Sequence, residues 1–186
     1  MTDRTNLSKA IGLIAWGYVL IYFNFNIGPL DILPNWLGYI LIYSALDTIG
    51  KEEISALLLK PLVIIIGIYE VLMTIKGLLD LTLSSYAFTL IHTVVVIVIL
   101  YYNFQLFTNL ANIATKYSCP QSEGIIILRT SYTLLITVAS LIEVVFIPEY
   151  IIQIAIVGLL VVTTIIIIVT CIVLFGFKHS IKESEI

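Results

Sequence analysis

The chain returns repeatedly to apolar runs that are long enough to cross a lipid bilayer, and the short segments between these runs hold nearly all of its charge. A spanning helix needs about 20 apolar residues, because every backbone polar group in hydrocarbon must be satisfied within the segment. Of the 186 residues, 60% are hydrophobic and only 11% are charged, whereas soluble domains carry about 25% charged residues. The sequence therefore predicts an all-α, polytopic transmembrane helical bundle.

Proline, glycine and charged residues divide the chain into about six predicted spans within one integral membrane domain. The spans cover residues 7–25, 32–49, 61–79, 86–107, 125–147 and 150–177, and residues 178–186 form a cytoplasmic tail. The second span provides only about 27 Å of helix, so it is predicted either to cross with little tilt or to be re-entrant. The charged residues at its end, Asp47, Lys51, Glu52 and Glu53, predict a water-facing turn.

The distribution of basic residues predicts the orientation of the bundle. In a six-span arrangement, only Lys76 falls on the side opposite the N-terminus. The others, on the N-terminal side, are Arg4, Lys9, Lys51, Lys60, Lys116, Arg129, Lys178 and Lys182. Lys and Arg are retained in cytoplasmic loops, so both termini are predicted to be cytoplasmic.

Ionisable side chains within the predicted spans are candidates for function, because each costs at least about 2.5 to 3.5 kcal/mol at the membrane centre. Glu70 lies near the middle of the third span, and it must find a partner on another helix or be protonated. His92 and Glu143 lie at similar depths on antiparallel spans. A contact between them would form a proton-responsive pair, because imidazole titrates near neutral pH.

Hydroxyl side chains on the fifth span share one helical face that leads towards Glu143. Thr133, Thr137 and Ser140 are spaced three and four residues apart. They would either line a hydrated path or bond to their own and neighbouring helices, as is common in membrane bundles. With Glu70, His92 and Glu143 they form the candidate intramembrane polar site.

The segment from Asn24 to Tyr39 breaks the helical pattern, because it holds two prolines and two glycines. Irregular backbone at membrane depth is tolerated only where protein or a watery cavity satisfies it. The polar residues of this segment are therefore candidate contacts for an ion or small solute: Asn24, Asn26, Asp31 and Asn35. The alternative is a structural hairpin that Trp36 anchors at the interface.

Catalytic, metal and nucleic-acid signatures do not emerge from the sequence. It contains no His-Glu-x-x-His pair, no Gly-x-Ser-x-Gly turn and no glycine-rich phosphate loop. We therefore predict no catalytic residues, no metal site and no cofactor. The net charge of -3 is spread over loops and tails, which does not favour nucleic-acid binding. The two cysteines, Cys119 and Cys171, are predicted to be free thiols.

Two stretches resemble a known group of proteins. The run Asn24-Phe25-Asn26-Ile27-Gly28, followed by Asp31-Ile32-Leu33-Pro34-Asn35-Trp36-Leu37-Gly38-Tyr39, resembles the N-terminal hairpin of uncharacterised small multi-pass membrane proteins of Firmicutes-type bacteria. Lys60-Pro61-Leu62 and Tyr101 to Asn103 are similar to the same group, so the resemblance extends to Tyr117. It implies a bacterial cytoplasmic membrane location and a multi-pass architecture, but no activity. The asparagines at 24 and 35 stand where the group carries aspartate, which weakens a proton or cation role.

Two classes of function follow from the sequence. In the first, the protein is a non-enzymatic membrane component that acts through a partner or assembly. In the second, it is a small ion- or proton-coupled transporter or channel. The predicted surroundings are the lipid bilayer together with a second copy of the chain or another membrane protein.

Overall fold

The chain folds into an all-helical bundle. The computed structural model describes the backbone of residues 3–23, 26–27, 30–31, 34–79, 86–144 and 149–183, and the side chains of residues 3–23, 34–79, 88–142 and 153–183. Within these ranges there are six α-helices: α1 (Arg4–Tyr22), α2 (Asn35–Gly50), α3 (Leu59–Leu78), α4 (Tyr86–Lys116), α5 (Ser122–Val144) and α6 (Glu149–Glu183). A 3₁₀ turn, Ile54–Leu58, leads into α3. Two short antiparallel strands, β1 (Asn26–Ile27) and β2 (Leu30–Asp31), pair between α1 and α2.

Four segments of the described chain are long and apolar enough to cross a membrane: Ile54–Leu78, Phe88–Lys116, Ser122–Ile142 and Gln153–Glu183. They correspond to the last four predicted spans, whereas α1 and α2 are not among them. Helix α2 has only 16 residues, or about 24 Å. The first half of α1 carries the polar residues Arg4, Asn6 and Lys9. The structure therefore supports a helical membrane protein with four candidate spans among the described residues, and the first two predicted spans stay predictions.

The helix bounds differ from the predicted spans for local reasons. Helix α1 begins at Arg4, because the Asp3 carboxylate accepts a hydrogen bond from the Thr5 amide (3.1 Å) and caps the helix. Helix α2 begins after Pro34, which has an extended backbone. Helix α6 continues through residues assigned to the tail as far as Glu183, because Ile181 is fully buried against the bundle.

Helices α1 and α2 approach most closely at two glycines. A Cβ atom on Gly38 would lie 2.5 Å from the carbonyl oxygen of Gly17, and one on Gly17 would lie 2.6 Å from Cγ1 of Ile42. No side chain fits at these distances, so the two backbones are in direct contact. Small residues allow this kind of close helix packing in membranes.

The buried core occupies one half of the bundle, which we call the inner half because it contains α1, α2 and both described chain ends. The buried residues of α6 all lie between Thr170 and Ile181, whereas large exposed apolar side chains extend from Ile154 to Ile172. In α5 the described buried residues end at Tyr132. The outer halves of these helices therefore present apolar side chains to their surroundings.

Helix α1 ends part of the way along the longer helices. The ring of Tyr22, the last residue of α1, lies 6.2 Å from that of Tyr132 in α5, and Tyr132 is bonded to Thr170 of α6. Helix α6 begins at Glu149, which places its start about 32 Å beyond this level at 1.5 Å per residue. The inner half thus contains parts of all six described helices, whereas the described residues of the outer half belong to α3, α4, α5 and α6.

Candidate functional site

Asn35, one of the hairpin candidates, contacts Glu70, a residue of the candidate intramembrane polar site, at the start of α2. The Asn35 side-chain amide donates a hydrogen bond to Oε2 of Glu70 in α3 (3.2 Å). The Glu70 carboxyl group therefore contacts a polar group on another helix. The Oδ1 atom of Asn35 is buried and has no hydrogen-bond partner among the described residues.

His92 of α4 is bonded to α3. The Tyr69 hydroxyl lies 2.7 Å from Nδ1 of His92, and the two ring centroids are 6.1 Å apart. Because Tyr69 precedes Glu70 in sequence, the Glu70 and His92 contacts lie close together on α3. The Glu143 side chain lies outside the described residues, so the His92–Glu143 contact stays a prediction.

The other hairpin candidates are described only in part. The backbones of Asn26 and Asp31 pair across β1 and β2, while the side chains of both residues lie outside the described set. Asn24 lies outside it entirely. Of the four hairpin candidates, Asn35 is thus the one whose side-chain contacts the structure describes.

The hydroxyls of α5 bond to their own helix. Thr133, Thr137 and Ser140 donate to the carbonyl oxygens four residues earlier, at 2.8, 2.7 and 2.8 Å. Each hydroxyl hydrogen is therefore used within α5. This geometry favours the interpretation in which these hydroxyls bond to their own helix, over the one in which they line a hydrated path.

A layer of aromatic and polar side chains crosses the bundle where α1 ends, and the sequence reasoning did not single it out. The Tyr18 hydroxyl donates to Oδ1 of Asn103 in α4 (2.6 Å), and both residues are buried. In the same layer, the Thr170 hydroxyl of α6 donates to the Tyr132 hydroxyl of α5 (3.3 Å). The signal available in the sequence was Asn103 itself, an amide that must be satisfied if it is buried.

An ion pair between an exposed lysine and a buried carboxylate lies at the inner end. The Nζ atom of Lys116 lies 2.6 Å from Oε2 of Glu52, whose side chain is only 1% exposed. This corrects the prediction of a water-facing turn at Glu52, because the connection between α2 and α3 folds back against the end of α4. Burial raises the pKa of the neighbouring Tyr117 phenol, and the Glu52 carboxylate raises it further.

Side-chain amides extend this inner network. The Ser55 hydroxyl and the Gln105 amide both donate to Oδ1 of Asn109, at 2.8 and 2.9 Å, and Asn109 is fully buried. Nearby, Lys60 and Asp47 form a second ion pair at 2.6 Å. Within the described ranges, no group of three or more His, Cys, Asp or Glu side chains is arranged to hold a metal ion.

The polar groups therefore form three levels, at Glu70, at Asn103 and at Glu52, each of which links different helices.

Comparison of the chain with protein-family models, with curated proteins and with solved structures finds no significant match.

Proposed function

We propose that this chain is a non-enzymatic integral protein of the bacterial cytoplasmic membrane that acts through a partner protein or by assembly. The observation that carries this proposal is that polar side chains of the spans bond to protein groups. Glu70 accepts from Asn35, His92 lies against Tyr69, and the α5 hydroxyls donate to their own helix. Such contacts hold helices together in lipid. A hydrated path would instead require polar groups that face water.

The topology that we infer has four crossings, with the α1–α2 hairpin packed on the inner half. Helix α3 would leave the inner side and α6 would return to it, so both termini lie on one side. The distribution of Lys and Arg supports a cytoplasmic location for that side. A six-crossing arrangement, in which the hairpin reaches the outer surface, is the competing topology.

The resemblance to small multi-pass proteins of Firmicutes-type bacteria is part of this proposal. The residues that carry it have structural contacts: Gly38 lies against Gly17, the Tyr39 and Tyr102 rings are 6.3 Å apart, and Asn103 accepts from Tyr18. Contacts of this kind favour a role for the motif in building the inner half.

The outer half offers a surface for a partner. The most apolar stretch of α6 has only 6% of its residues buried. Between the outer parts of α5 and α6 lies an apolar groove of about 390 Å³ that includes Leu134, Val138, Leu159 and Val162. Lipid tails would solvate this surface in the isolated chain, and a transmembrane segment of a partner or a second copy would cover it in an assembly.

Photo-crosslinking in cells tests the partner. A benzoylphenylalanine placed at Leu160, which is 62% exposed on α6, is expected to give a discrete protein adduct. The matched control is Ile64 on α3, which is 47% exposed but lies away from the α5–α6 groove. Adducts with lipid alone at Leu160 would count against a partner on this surface.

The alternative, a small ion- or proton-coupled transporter, is favoured by one observation. The buried Oδ1 atom of Asn35, next to the Glu70 carboxyl group, is an oxygen without a hydrogen-bond partner among the described residues. Proteoliposome flux measurements separate the two functions. We expect no flux, and we expect Glu70→Leu to destabilise the protein unless Asn35→Leu accompanies it. Proton-coupled flux that Glu70→Gln abolishes, with folding intact, would instead establish transport.

A further inference from the structure

A groove of about 540 Å³ opens between α1 and α2 at the inner end of the bundle. Its charged lining residues are Asp3, Lys9 and Lys51, and its uncharged polar ones are Asn6, Ser44 and Thr48. Ala10, Leu13 and Ala45 complete the described lining. The groove therefore combines two cations with the polar side chains of Asn6 and Thr48, and it has an apolar wall. The Ser44 hydroxyl donates to the carbonyl oxygen of Leu41 (2.7 Å).

The two lysines of the groove differ from those of the neighbouring ion pairs. Lys60 and Lys116 each lie 2.6 Å from a carboxylate, whereas Lys9 and Lys51 form no ion pair within the described part of the chain. The acid in the groove, Asp3, already accepts a hydrogen bond from the Thr5 amide. The described lining therefore has one positive charge in excess.

The depth of the groove matches the level of lipid headgroups. Trp16 of α1 is 53% exposed, and exposed tryptophans favour the membrane interface. Lys9 lies two helical turns before Trp16 in α1. Its Cα is therefore about 10 Å further from the hydrocarbon region than that of Trp16. Leu13 and Ala10 lie between these levels, so the apolar wall continues from the lysines towards the membrane.

We propose that this groove binds a phosphate group, supplied by the headgroup of an anionic phospholipid. The ammonium groups of Lys9 and Lys51 would contact the phosphate oxygens, and an acyl chain would continue past Leu13. Basic pockets between helices at the cytoplasmic face bind phosphate headgroups in this way. The inference is independent of whether the protein acts through a partner or transports an ion.

Native mass spectrometry of the full-length protein tests it, with phosphatidylglycerol and phosphatidylcholine as probes. We expect preferential retention of phosphatidylglycerol, and a loss of affinity of about fivefold for Lys9→Gln and for Lys51→Gln. Lys182→Gln is the matched control, because it removes one exposed charge from the same end of the bundle. Lys9→Arg and Lys51→Arg should retain affinity, which separates loss of charge from misfolding.

The source of the phosphate is tested by competition. If a lipid supplies it, millimolar inorganic phosphate should leave bound phosphatidylglycerol in place, because the acyl chain contributes to binding. Displacement by inorganic phosphate would reject the lipid and assign the groove to a free anion. Equal retention of the two lipids, or equal losses for Lys9→Gln, Lys51→Gln and Lys182→Gln, would overturn the site.

Discussion

The ammonium group of Lys116 at the end of α4 lies 2.6 Å from the carboxylate of Glu52, which is almost completely buried. A carboxylate is costly to bury unless it is paired and hydrogen-bonded. The pair therefore fixes where the connection between α2 and α3 crosses beneath the bundle. It also makes Glu52 different from its neighbour Glu53, whose carboxylate forms no ion pair in the described structure.

Replacing Glu52 should destabilise the inner half. We expect Glu52→Gln to lower the free energy of unfolding, because it removes the charge that pairs with Lys116 and leaves a buried amide in its place. Unfolding in mixed detergent micelles measures the effect. Glu53→Gln is the control and should change the stability little. Equal effects of the two substitutions would contradict the importance of the buried pair.

Alanine should have opposite effects on stability at Gly38, which lies in the contact between α1 and α2, and at Gly158, which lies on α6. Gly38→Ala should cost about 1 to 3 kcal/mol, because its Cβ would clash with the backbone of Gly17. Gly158→Ala has open space around it, and alanine favours the helix by up to about 1 kcal/mol. Thermal unfolding in detergent should therefore separate the variants. A stable Gly38→Ala protein would argue against the close approach.

Loss of the hydroxyl should change the stability of the protein differently at Tyr18 and at Tyr102, which lie at the same level of the bundle. Tyr18→Phe removes the donor to Asn103 and should cost about 0.6 to 1.7 kcal/mol, the range for hydrogen bonds between membrane helices. The buried Tyr102 hydroxyl lies near the Tyr18 hydroxyl but forms no well-directed hydrogen bond with it. Tyr102→Phe should therefore be neutral or stabilising. The same unfolding measurement would reject this assignment if Tyr102→Phe were the more damaging change.

Cysteine labelling distinguishes four crossings from six. In a Cys119→Ser, Cys171→Ser background, the proposed four-crossing topology predicts that a membrane-impermeant maleimide labels Glu149→Cys in whole cells but not Asp31→Cys, because α1 and α2 would then stay on the inner side. Glu123→Cys should react only after permeabilisation. Strong labelling of Asp31→Cys from outside would establish that the hairpin reaches the outer surface.

The Cys119 thiol should react slowly in the folded protein. Burial raises its pKa, and the nearby Arg4 charge opposes part of the rise. Since the thiolate is the reactive form, alkylation of a Cys171→Ser variant at pH 8 should be severalfold slower than in the unfolded chain. The stability that the neutral thiol contributes is fully present below the unfolded pKa and is lost as the pH rises through the folded value. Equal alkylation rates would contradict this burial.

The sequence predicts the helical bundle and the four long spans because apolar length alone decides them. It does not predict how deep α1 and α2 lie, since their depth depends on the packing of Gly17 against Gly38. The burial of Glu52 was also missed, because a run of charged residues carries no local sign that the chain folds back beneath α4. Asn35 and Glu70 stood out separately, but their contact depends on the register between α2 and α3.

The glycine contact also sets a spacing further along the same two helices. Neither Gly17 nor Gly38 has a side chain that could separate the backbones. The close contact is therefore expected to limit the distance between α1 and α2 at Lys9 and Lys51. A bulkier residue at either glycine would widen the gap between the lysines without altering them. We therefore expect the width of the basic groove to depend on two distant residues that carry no charge.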